Sequence, residues 1–358
     1  MTYEQQYLNI LHNILEDGWK KKTRNGSTKS LFGKSISHKM SDGFPILTTR
    51  KINFKNAVVE LLWFLKGNTS IKFLLENNCH IWTGDCYSKY LKFTRNLEEP
   101  DYRYLVDSPE DNKMRPFTVK EFENQIINDS AFSSQFGDVG KLYPYQWRTF
   151  DTIDGATIDQ IQYVIDELKT SPDSRRICVD SWDVENLGNM IIYPCHPFFQ
   201  FFSRELTFTE RYSYFCNLMN KGGISFNIEE NHQGLSEEEI TKELDWANVP
   251  KRNVSLQFTM RSSDVPLGLP TNMMVYALLL EMVAKEVNMI PDELLYNGGD
   301  VHIYENQIEG VKEQLSRTPL VLPTLKMKNR KSINDYRVED FELVDYNHHN
   351  PIKYPLSN

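Results

Sequence analysis

Apolar and polar positions along this chain follow the periods of both helices and strands. Helices are predicted where apolar side chains recur every three or four residues or fill a segment of helical length. These segments are residues 3–18, 54–65, 71–75, 158–168, 236–246 and 272–287. Shorter apolar runs or alternating patterns predict strands over residues 177–182, 198–202, 255–260 and 301–304, and one more within residues 42–50. Glycine-containing turns are predicted at residues 25–26 and 298–300.

Two polar segments interrupt this pattern. Residues 84–140 and 205–252 are rich in charged side chains and contrast with the apolar segments on either side of them. We expect them to be surface insertions within one domain that spans residues 1–358, and not separate domains. Surface elaboration is the favoured role for both, and contact with a partner enzyme is the alternative.

Composition narrows the class of protein. With 358 residues, of which 40% are hydrophobic and 25% charged, the chain has the profile of a globular protein with a sizeable core. The formal net charge is −9 and no long basic run occurs, which disfavours a general nucleic-acid-binding role. The first 20 residues lack the pattern of a signal peptide, and no apolar stretch is long enough to cross a bilayer.

The five cysteines are scattered and form neither a disulfide framework nor a zinc-binding spacing. Reduced thiols, a cytoplasmic location and the absence of a metal site are therefore expected. One of them, Cys195, lies between Pro194 and His196, just before the predicted strand at residues 198–202. A strand end is a rigid support for a reactive group, whereas a lone cysteine is more often a buried structural residue.

Four arginines occur where an anion could bind. Arg24 lies in a basic loop that contains a glycine, Arg175 and Arg176 lie at a turn before a predicted strand, and Arg261 follows another strand. Guanidinium groups bind phosphate oxygens in pairs, although each of these arginines could also be a solvated surface residue. Asn272 follows a Gly-Leu-Pro turn, where an amide can contact the polar edge of a ring.

Glu60 lies inside the apolar run of residues 54–65. A carboxylate in that position is either a paired core residue or a functional acid with a raised pKa. Together with Cys195 and the arginines, it favours covalent chemistry on a small phosphorylated molecule. Neither a GxGxxG motif nor a P-loop is present, so a dinucleotide or ATP site has no support in the sequence.

The chain resembles the thymidylate synthase family in ten segments that follow one another in the order of the family. These are residues 42–50, 60–67, 81–82, 146–148, 172–177, 194–196, 261–264, 267–272, 299–304 and 335–337. Ten segments in order are far more specific than any one of them, and they span nearly the whole chain outside the two insertions. The resemblance implies the α+β fold of that family, with a large mixed β-sheet, covering helices, and sheets packed back to back in a homodimer.

The resemblance also implies roles for individual residues. The catalytic set would be Cys195, Glu60, Tyr143, Asn272, Asp264 and His196, with Cys195 as the nucleophile that adds to C6 of dUMP. The 5′-phosphate would be held by Arg24, Arg175, Arg176, Arg261 and Ser262, of which Arg175 and Arg176 come from the other subunit. Asn272 would contact the uracil, and His302 and Tyr304 the deoxyribose. Folate would be bound by Ile81, Trp82, Asp264, Leu267 and Gly268.

The reaction implied is the reductive methylation of dUMP to dTMP with 5,10-methylenetetrahydrofolate as co-substrate and no metal. Addition of the Cys195 thiolate makes C5 of uracil a nucleophile, and neighbouring arginines are expected to lower the thiol pKa. Loss of the C5 proton and of tetrahydrofolate leaves an exocyclic methylene on the covalent intermediate. A synthase reduces this methylene with hydride from tetrahydrofolate, whereas a dUMP hydroxymethylase lets water add and releases 5-hydroxymethyl-dUMP.

Three positions near the implied folate site depart from the family pattern. The last residue, Asn358, is polar, Thr271 stands where an aromatic residue is usual, and Pro144 replaces a glycine beside Tyr143. Trp82, which would shield the intermediate from water, is present. Because exclusion of water separates the two reactions, synthase is the predicted activity and hydroxymethylase is the alternative.

Two other classes of function are less favoured. Some members of the family bind messenger RNA, but the acidic balance of this chain argues against that as its main role. An inactive structural relative is disfavoured because the candidate nucleophile, the arginines and Asn272 all occur together.

Overall fold

The computed structural model describes residues 1–99, 101–108, 113–221 and 234–356. The helices in these ranges are α1 (Tyr3–Asp17), α2 (Phe54–Lys66), α3 (Lys72–Glu76), α4 (Thr83–Arg95), α5 (Val119–Asn128), α6 (Ser130–Phe136), α7 (Tyr143–Thr149), α8 (Gln160–Thr170), α9 (Phe208–Lys221), α10 (Glu237–Trp246), α11 (Gly268–Glu286) and α12 (Ile308–Leu315). The strands are β1 (Trp19–Thr23), β2 (Gly26–Lys39), β3 (Leu105–Asp107), β4 (Met114–Pro116), β5 (Phe150–Asp151), β6 (Thr157–Ile158), β7 (Cys178–Asp180), β8 (Phe198–Glu205), β9 (Arg252–Asp264), β10 (Ile290–Tyr304), β11 (Thr324–Met327) and β12 (Phe341–Val344).

Six strands form one mixed sheet in the order β1-β2-β10-β9-β8-β7. Strands β9 and β10 run parallel, and every other neighbouring pair in this sheet is antiparallel. Helix α11 connects the two parallel strands, as a crossover connection requires. The predicted α+β class with a large mixed sheet and covering helices is therefore confirmed, and the packing of two such sheets in a dimer stays a prediction.

Helix α11 is the centre of the core. Apolar residues fill nearly its whole circumference, so it is buried on all sides and packs against α2, β9 and β10. Helix α2 is nearly as apolar, and it begins at the side-chain cap of Asn53 and ends at Gly67. Gly67 has a φ of 68°, the left-handed conformation that glycine adopts readily at a helix end.

Most of the predicted helices and two of the predicted strands are confirmed. They correspond to α1, α2, α3, α8, α10, β8, β9 and the later part of α11. The strand predicted over residues 177–182 is present but shorter, as β7. Most of this agreement comes from segments whose own side chains decide their structure.

Three local predictions are wrong. Residues 43–50 form no strand, because the buried Glu4 carboxylate accepts hydrogen bonds from the amides and hydroxyls of Thr48 and Thr49 and holds the segment in an irregular path. The turn predicted at residues 298–300 lies inside β10, which pairs with β2 and β9 on either side. Helix α11 begins at Gly268, so Asn272 lies in the helix and not after a turn.

The first polar segment, residues 84–140, contributes buried aromatic side chains to the core as well as surface residues. Tyr90 of α4 is surrounded by the rings of Phe117, Phe122, Phe132 and Phe136, and all of them belong to the main hydrophobic core. The polar composition did not predict this cluster, because its rings come from several short helices and connections. In the second segment, α9 and α10 pack around a smaller separate cluster of Ile240, Leu244 and Val249.

Within the described ranges, every helix is too short or too polar to span a bilayer.

Candidate active site

Cys195 lies three residues before β8, in a backbone segment that Arg261 of β9 holds in place. The Arg261 amide donates a hydrogen bond to the Cys195 carbonyl oxygen at 2.8 Å. Its guanidinium donates from Nε to the Pro194 carbonyl oxygen and from Nη2 to that of Tyr193, both at 2.8 Å. The guanidinium carbon also lies 5.6 Å from the ring centroid of Trp182. Arg261 therefore fixes the backbone that carries the thiol.

Tyr143, the first residue of α7, supports the same segment from the protein interior. Its hydroxyl oxygen accepts hydrogen bonds from the amide of Cys195 at 2.6 Å and from the amide of His196 at 3.4 Å. Its ring stacks on the His196 ring with centroids 3.9 Å apart. Burial raises the pKa of Tyr143 well above its ordinary value, so the side chain stays a neutral phenol.

His196 is a buried, neutral side chain. Its Nδ1 lies 2.8 Å from the hydroxyl of Tyr276 in α11. Burial lowers the pKa of His196 to about 3. Because the ring is neutral and held by Tyr143 and Tyr276, it positions the nucleophile segment and does not carry a charge. Sequence reasoning missed Tyr276, which the spacing of one helical turn from Asn272 could have indicated.

The environment of the thiol differs from the expected one. Burial raises the pKa of the Cys195 thiol, and the nearby Asp85 adds to that effect. Arg261 opposes it, but less strongly than burial acts. The predicted effect of an arginine on this pKa is therefore present, but in the single chain desolvation of a thiolate outweighs the attraction of one guanidinium, so the net shift is upward.

Glu60 and Trp82 form a buried pair beside this cluster. Trp82 Nε1 donates a hydrogen bond to Glu60 Oε1 at 2.8 Å, and the Trp82 ring lies 6.2 Å from that of Tyr143. Burial raises the pKa of Glu60 to about 7, and the bond from Trp82 only partly opposes this. No cation forms a salt bridge with Glu60 in the part of the chain that the structure describes, so Trp82 is its hydrogen-bond partner there and both interpretations of Glu60 stay open.

The ends of β9 and β10 carry the next group of predicted residues. In the parallel register, His302 lies beside Asp264, and Asp300 beside Ser262. His302 Nδ1 lies 3.1 Å from Asp300 Oδ1, and the His302 ring meets the Tyr304 ring edge-on at 5.2 Å. The structure thus brings Ser262, Asp264, His302 and Tyr304 to one end of the two strands.

Asp264 is held by two donors near the C-terminal tail. It accepts hydrogen bonds from the Leu267 amide at 3.1 Å and from Gln307 Nε2 at 3.0 Å, and burial raises its pKa. Gln307 also donates to the Pro355 carbonyl oxygen at 3.3 Å, which brings the tail close to this carboxyl group. Sequence reasoning missed Gln307, since nothing in the local pattern marks it. Asn358 lies outside the described residues.

The remaining predicted folate residues lie around this group. A Cβ at Gly268 would be 3.9 Å from the Asp264 Cβ, so the start of α11 passes close to the acid. Ile81, next to Trp82, is 37% exposed. Thr271 is half-buried in the first turns of α11. Pro144 is the second residue of α7, where the amide that proline lacks would have no helical partner.

Asn272 lies beside β9. Its Nδ2 donates to the sulfur of Met260, the residue before Arg261, at 3.4 Å. The side chain is half-buried, in the helix that also carries Tyr276. The structure therefore brings Asn272 close to the strand whose Arg261 holds the Cys195 segment.

Arg24 lies in the tight turn between β1 and β2, at one side of a cavity of about 730 Å³. The turn packs against the site, since a Cβ at Gly26 would be 3.9 Å from the Tyr304 ring. The cavity is also lined by α4 and by residues 188–192, which lead to Cys195. Asp85 of α4 faces this cavity and was not among the predicted residues.

Arg175 and Arg176 are not part of this cluster within one chain. They are exposed and precede β7, whose antiparallel register with β8 places them level with residues 202–203. That is seven or eight positions along the sheet from Cys195, or roughly 25 Å at the usual rise of a strand. Their guanidinium groups have neither a hydrogen bond nor an ion pair to any described residue.

Comparison with known proteins identifies relatives along the full length. A family model described as thymidylate synthase matches residues 5–231 and 239–358. A thymidylate synthase from Listeria monocytogenes serovar 1/2a is 34% identical over 358 residues, which cover 99% of this chain and 99% of that protein. One from Listeria innocua serovar 6a matches to the same extent. Every candidate site residue described above lies inside the matched ranges.

Proposed function

The chain belongs to the thymidylate synthase family, and we propose that it methylates dUMP reductively to dTMP with 5,10-methylenetetrahydrofolate as the co-substrate. The observation that carries this proposal is the fixed position of Cys195 between Arg261 and Tyr143. A nucleophile needs a backbone that does not move when its side chain attacks, and here two hydrogen bonds hold the residue from opposite sides.

Nucleotide binding would use groups on both sides of the thiol. We propose that Arg24 and Arg261, with Ser262, bind the 5′-phosphate, because guanidinium forks match phosphate oxygens. Asn272 would contact the uracil, since an amide offers a donor and an acceptor to the polar ring edge. His302 and Tyr304 would bind the deoxyribose hydroxyl. The contacts among these side chains at the ends of β9 and β10 support this arrangement.

The covalent step would begin with attack of the Cys195 sulfur on C6 of dUMP. Burial raises the pKa of this thiol, so the thiolate needs more positive charge than Arg261 supplies. We propose that Arg175 and Arg176 of a second copy supply it. Addition at C6 converts C5 into a nucleophilic enolate carbon that can attack the one-carbon unit of the co-substrate.

Proton transfers would use Glu60 and Tyr143. With a pKa of about 7, Glu60 can both release and accept a proton near neutral pH, which suits a relay to the O4 side of the uracil. Tyr143 would assist removal of the C5 proton, and its contact with the Cys195 amide supports a position near the pyrimidine. His196 would act as a positioning residue because its ring is neutral and buried.

Folate would bind where apolar and acidic groups meet. Trp82, Ile81 and Leu267 offer apolar contacts, and the Asp264 carboxyl group can hydrogen-bond to a polar heterocycle. Gly268 leaves room beside Asp264 for the ring to approach. The C-terminal tail, which reaches Gln307 through Pro355, would cover this site.

We propose that the enzyme is a homodimer in which the sheets pack back to back. The roughly 25 Å along the sheet between Arg176 and Cys195 of one chain supports a second copy as the source of the arginine pair. The uncovered face of the sheet carries a row of hydrogen-bonded polar side chains from β2 to β8, and Phe202 beside it is 63% exposed. A single catalytic domain over residues 1–358 and a cytoplasmic location belong to the same proposal.

The alternative is a dUMP hydroxymethylase. It is favoured by Thr271, which is smaller and more polar than the aromatic residue usual in the family, and by the acidic side chain of Asp85 in the adjoining cavity. A smaller side chain at position 271 and a carboxylate in the adjoining cavity both let water approach the site more easily, and water is the second reactant of a hydroxymethylase.

The test measures turnover of the Cys195→Ala variant with dUMP and methylenetetrahydrofolate. Turnover is monitored by the absorbance of dihydrofolate and by the mass of the nucleotide product. We expect turnover to fall by more than roughly a thousandfold while dUMP binding largely persists, because the nucleophile is lost and the phosphate and ring contacts remain. A methyl product in the unmodified protein supports the synthase, and a purely hydroxymethyl product supports the alternative.

Cys178→Ala is the matched control. Cys178 is a half-buried thiol in the edge strand β7, and its loss should leave turnover unchanged. Substantial activity in Cys195→Ala would remove Cys195 from its proposed role.

A further inference from the structure

One face of α4 borders the cavity next to the Cys195 segment. Asp85, Ser88, Lys89 and Lys92 have the spacing of a single helical face, and all four line the cavity. Arg24 lines the same cavity, and so do residues 188–192, which lead along the chain towards Cys195. The cavity is therefore bordered by the turn that carries Arg24, by α4 and by the segment that precedes the nucleophile.

Asp85 differs from the other acid in this cavity. The Asp138 carboxylate accepts a hydrogen bond from the Gly140 amide at 2.7 Å, and the Asp138 carbonyl oxygen accepts one from Lys89 at 3.3 Å. Asp85 has no hydrogen-bond donor or salt-bridge partner among the residues that the structure describes. A partly desolvated carboxylate without protein donors must keep water molecules as its partners.

Asp85 also lies within electrostatic reach of the nucleophile. Its charge raises the pKa of the Cys195 thiol, and the charge of Arg24 acts on Asp85 in turn. Burial raises the pKa of Asp85 above its ordinary value, which makes its carboxylate a better proton acceptor. The other two acids of the site are already engaged, since Glu60 accepts from Trp82 and Asp264 from Gln307.

We propose that Asp85 is a specificity-determining residue that holds and deprotonates a water molecule beside the covalent intermediate. As a result, a fraction of the dUMP is converted to 5-hydroxymethyl-dUMP. This inference rests on the proposed function, because it needs the exocyclic methylene that the proposed reaction forms. The same active site would then form two products, dTMP as the main one and 5-hydroxymethyl-dUMP as the minor one.

The chemistry balances without a further reactant. The water oxygen forms a bond to the methylene carbon, one water proton passes to the Asp85 carboxylate, and the C5=CH₂ electron pair moves into the uracil enolate. Collapse of the enolate then breaks the bond between C6 and the Cys195 sulfur, which restores the C5=C6 double bond and the thiolate. Asp85 returns its proton to solvent, and tetrahydrofolate leaves unoxidised.

The experiment measures both nucleotide products by mass in ¹⁸O-labelled water for the unmodified protein and two variants. Asp85→Asn keeps the shape and a polar group but accepts no proton, and Asp85→Leu also removes the held water. We expect the unmodified protein to make both products, and the labelled hydroxymethyl share to fall about tenfold or more in each variant while dTMP formation continues. Asp138→Asn removes an acid from the same cavity and should leave the product ratio unchanged.

The pH dependence of the product ratio distinguishes a proton acceptor from a residue with a purely structural role. The hydroxymethyl share should rise with pH as Asp85 ionises, and this rise should be absent in Asp85→Asn. The charged groups that line the cavity with Asp85 are Arg24, Lys89, Lys92 and Asp138, and the titratable thiol of Cys195 interacts with Asp85 electrostatically.

The possible outcomes separate the two proposals. Formation of neither product by the unmodified protein refutes the proposed function itself. Formation of dTMP alone, a hydroxymethyl product without the label, or a product ratio that both Asp85 variants leave unchanged refutes the role of Asp85 and leaves the synthase proposal standing.

Discussion

Two buried carboxylates show how hydrogen-bond donors decide what an acid does in this protein. Glu4 accepts bonds from two amides and two hydroxyls, and it holds residues 48–49 in an irregular path. Glu60 is also buried but accepts one bond, from Trp82. Burial therefore raises the pKa of Glu60 to about 7, and its charged form is unstable in the fold.

The pKa of Glu60 predicts a dependence of stability on pH. The ordinary value is 4.5, so between about 4.5 and 7 the unfolded chain has lost this proton while the folded chain keeps it. The stability that the neutral group provides is fully present below 4.5 and is lost as the pH rises to about 7, at a cost of about 3 kcal/mol. Glu60→Gln mimics the neutral form and should unfold at higher urea concentration than the unmodified protein at pH 8.

The control is the same pair of proteins at pH 4, where both side chains are neutral and the difference should largely vanish. Urea unfolding at both pH values is the measurement. A difference in unfolding free energy that does not change with pH would contradict the raised pKa of Glu60.

At the scale of elements, the segment before Cys195 depends on a close backbone contact. Gly140, which precedes α7, forms an isolated bridge with Met190. Its φ is 76°, and a Cβ there would lie 1.8 Å from the Asn189 carbonyl oxygen. Any side chain at this position must therefore push away the residues that lead to the nucleophile.

Gly140→Ala should lower both stability and turnover. The left-handed backbone alone costs about 1–2 kcal/mol for alanine, and the clash adds to that and displaces residues 189–190. Thermal unfolding and kcat together are the measurement.

Gly155→Ala is the matched control, because Gly155 has a φ of 80° with no heavy atom near its added Cβ. We expect Gly155→Ala to lose only the stability that the left-handed backbone conformation costs alanine, and to keep its turnover. Equal effects of the two substitutions on kcat would mean that the contact between Gly140 and Asn189 does not position Cys195.

At the scale of the whole molecule, one chain does not bring all the predicted phosphate ligands together. Arg24 borders the cavity and Arg261 holds the Cys195 segment, whereas Arg175 and Arg176 lie at the far end of β8. If two copies pack sheet against sheet, each would complete the site of the other. The proposed dimer is then a requirement of catalysis and not only of stability.

Mixing two inactive variants tests this arrangement. Cys195→Ala lacks the nucleophile and Arg176→Ala lacks a phosphate ligand, and each should have little activity alone. After unfolding and refolding together, random pairing should restore about a quarter of the activity, because half of the dimers are mixed and one of their two sites is intact. Turnover against mixing ratio is the measurement.

Each variant refolded alone is the control. No recovery in a mixture that gel filtration shows to contain mixed dimers would place both residues in the same site of one chain and overturn the crossing arrangement.

The sequence by itself determined the elements whose own side chains specify them and the family to which the chain belongs. Helix α2 and the later part of α11 were predictable because an apolar segment of that length is buried as a helix wherever it packs. The ordered motifs identified the family, and with it Cys195, Arg261 and Asn272, whose neighbourhood in space the structure confirms.

Only the tertiary structure decided what these groups experience. Gln307 and Asp85 come from positions distant in sequence from the residues they affect, so no local pattern marked them. Tyr276 was marked only by its helical spacing from Asn272, and its contact with His196 depends on the packing of α11. The effect of Arg261 on the Cys195 pKa has the predicted direction, but burial outweighs it. Hydrogen bonding and desolvation depend on which segments meet. The buried thiol of Cys195, the neutral ring of His196 and the Glu60 pKa of about 7 are therefore properties of the packed structure and not of the residues alone.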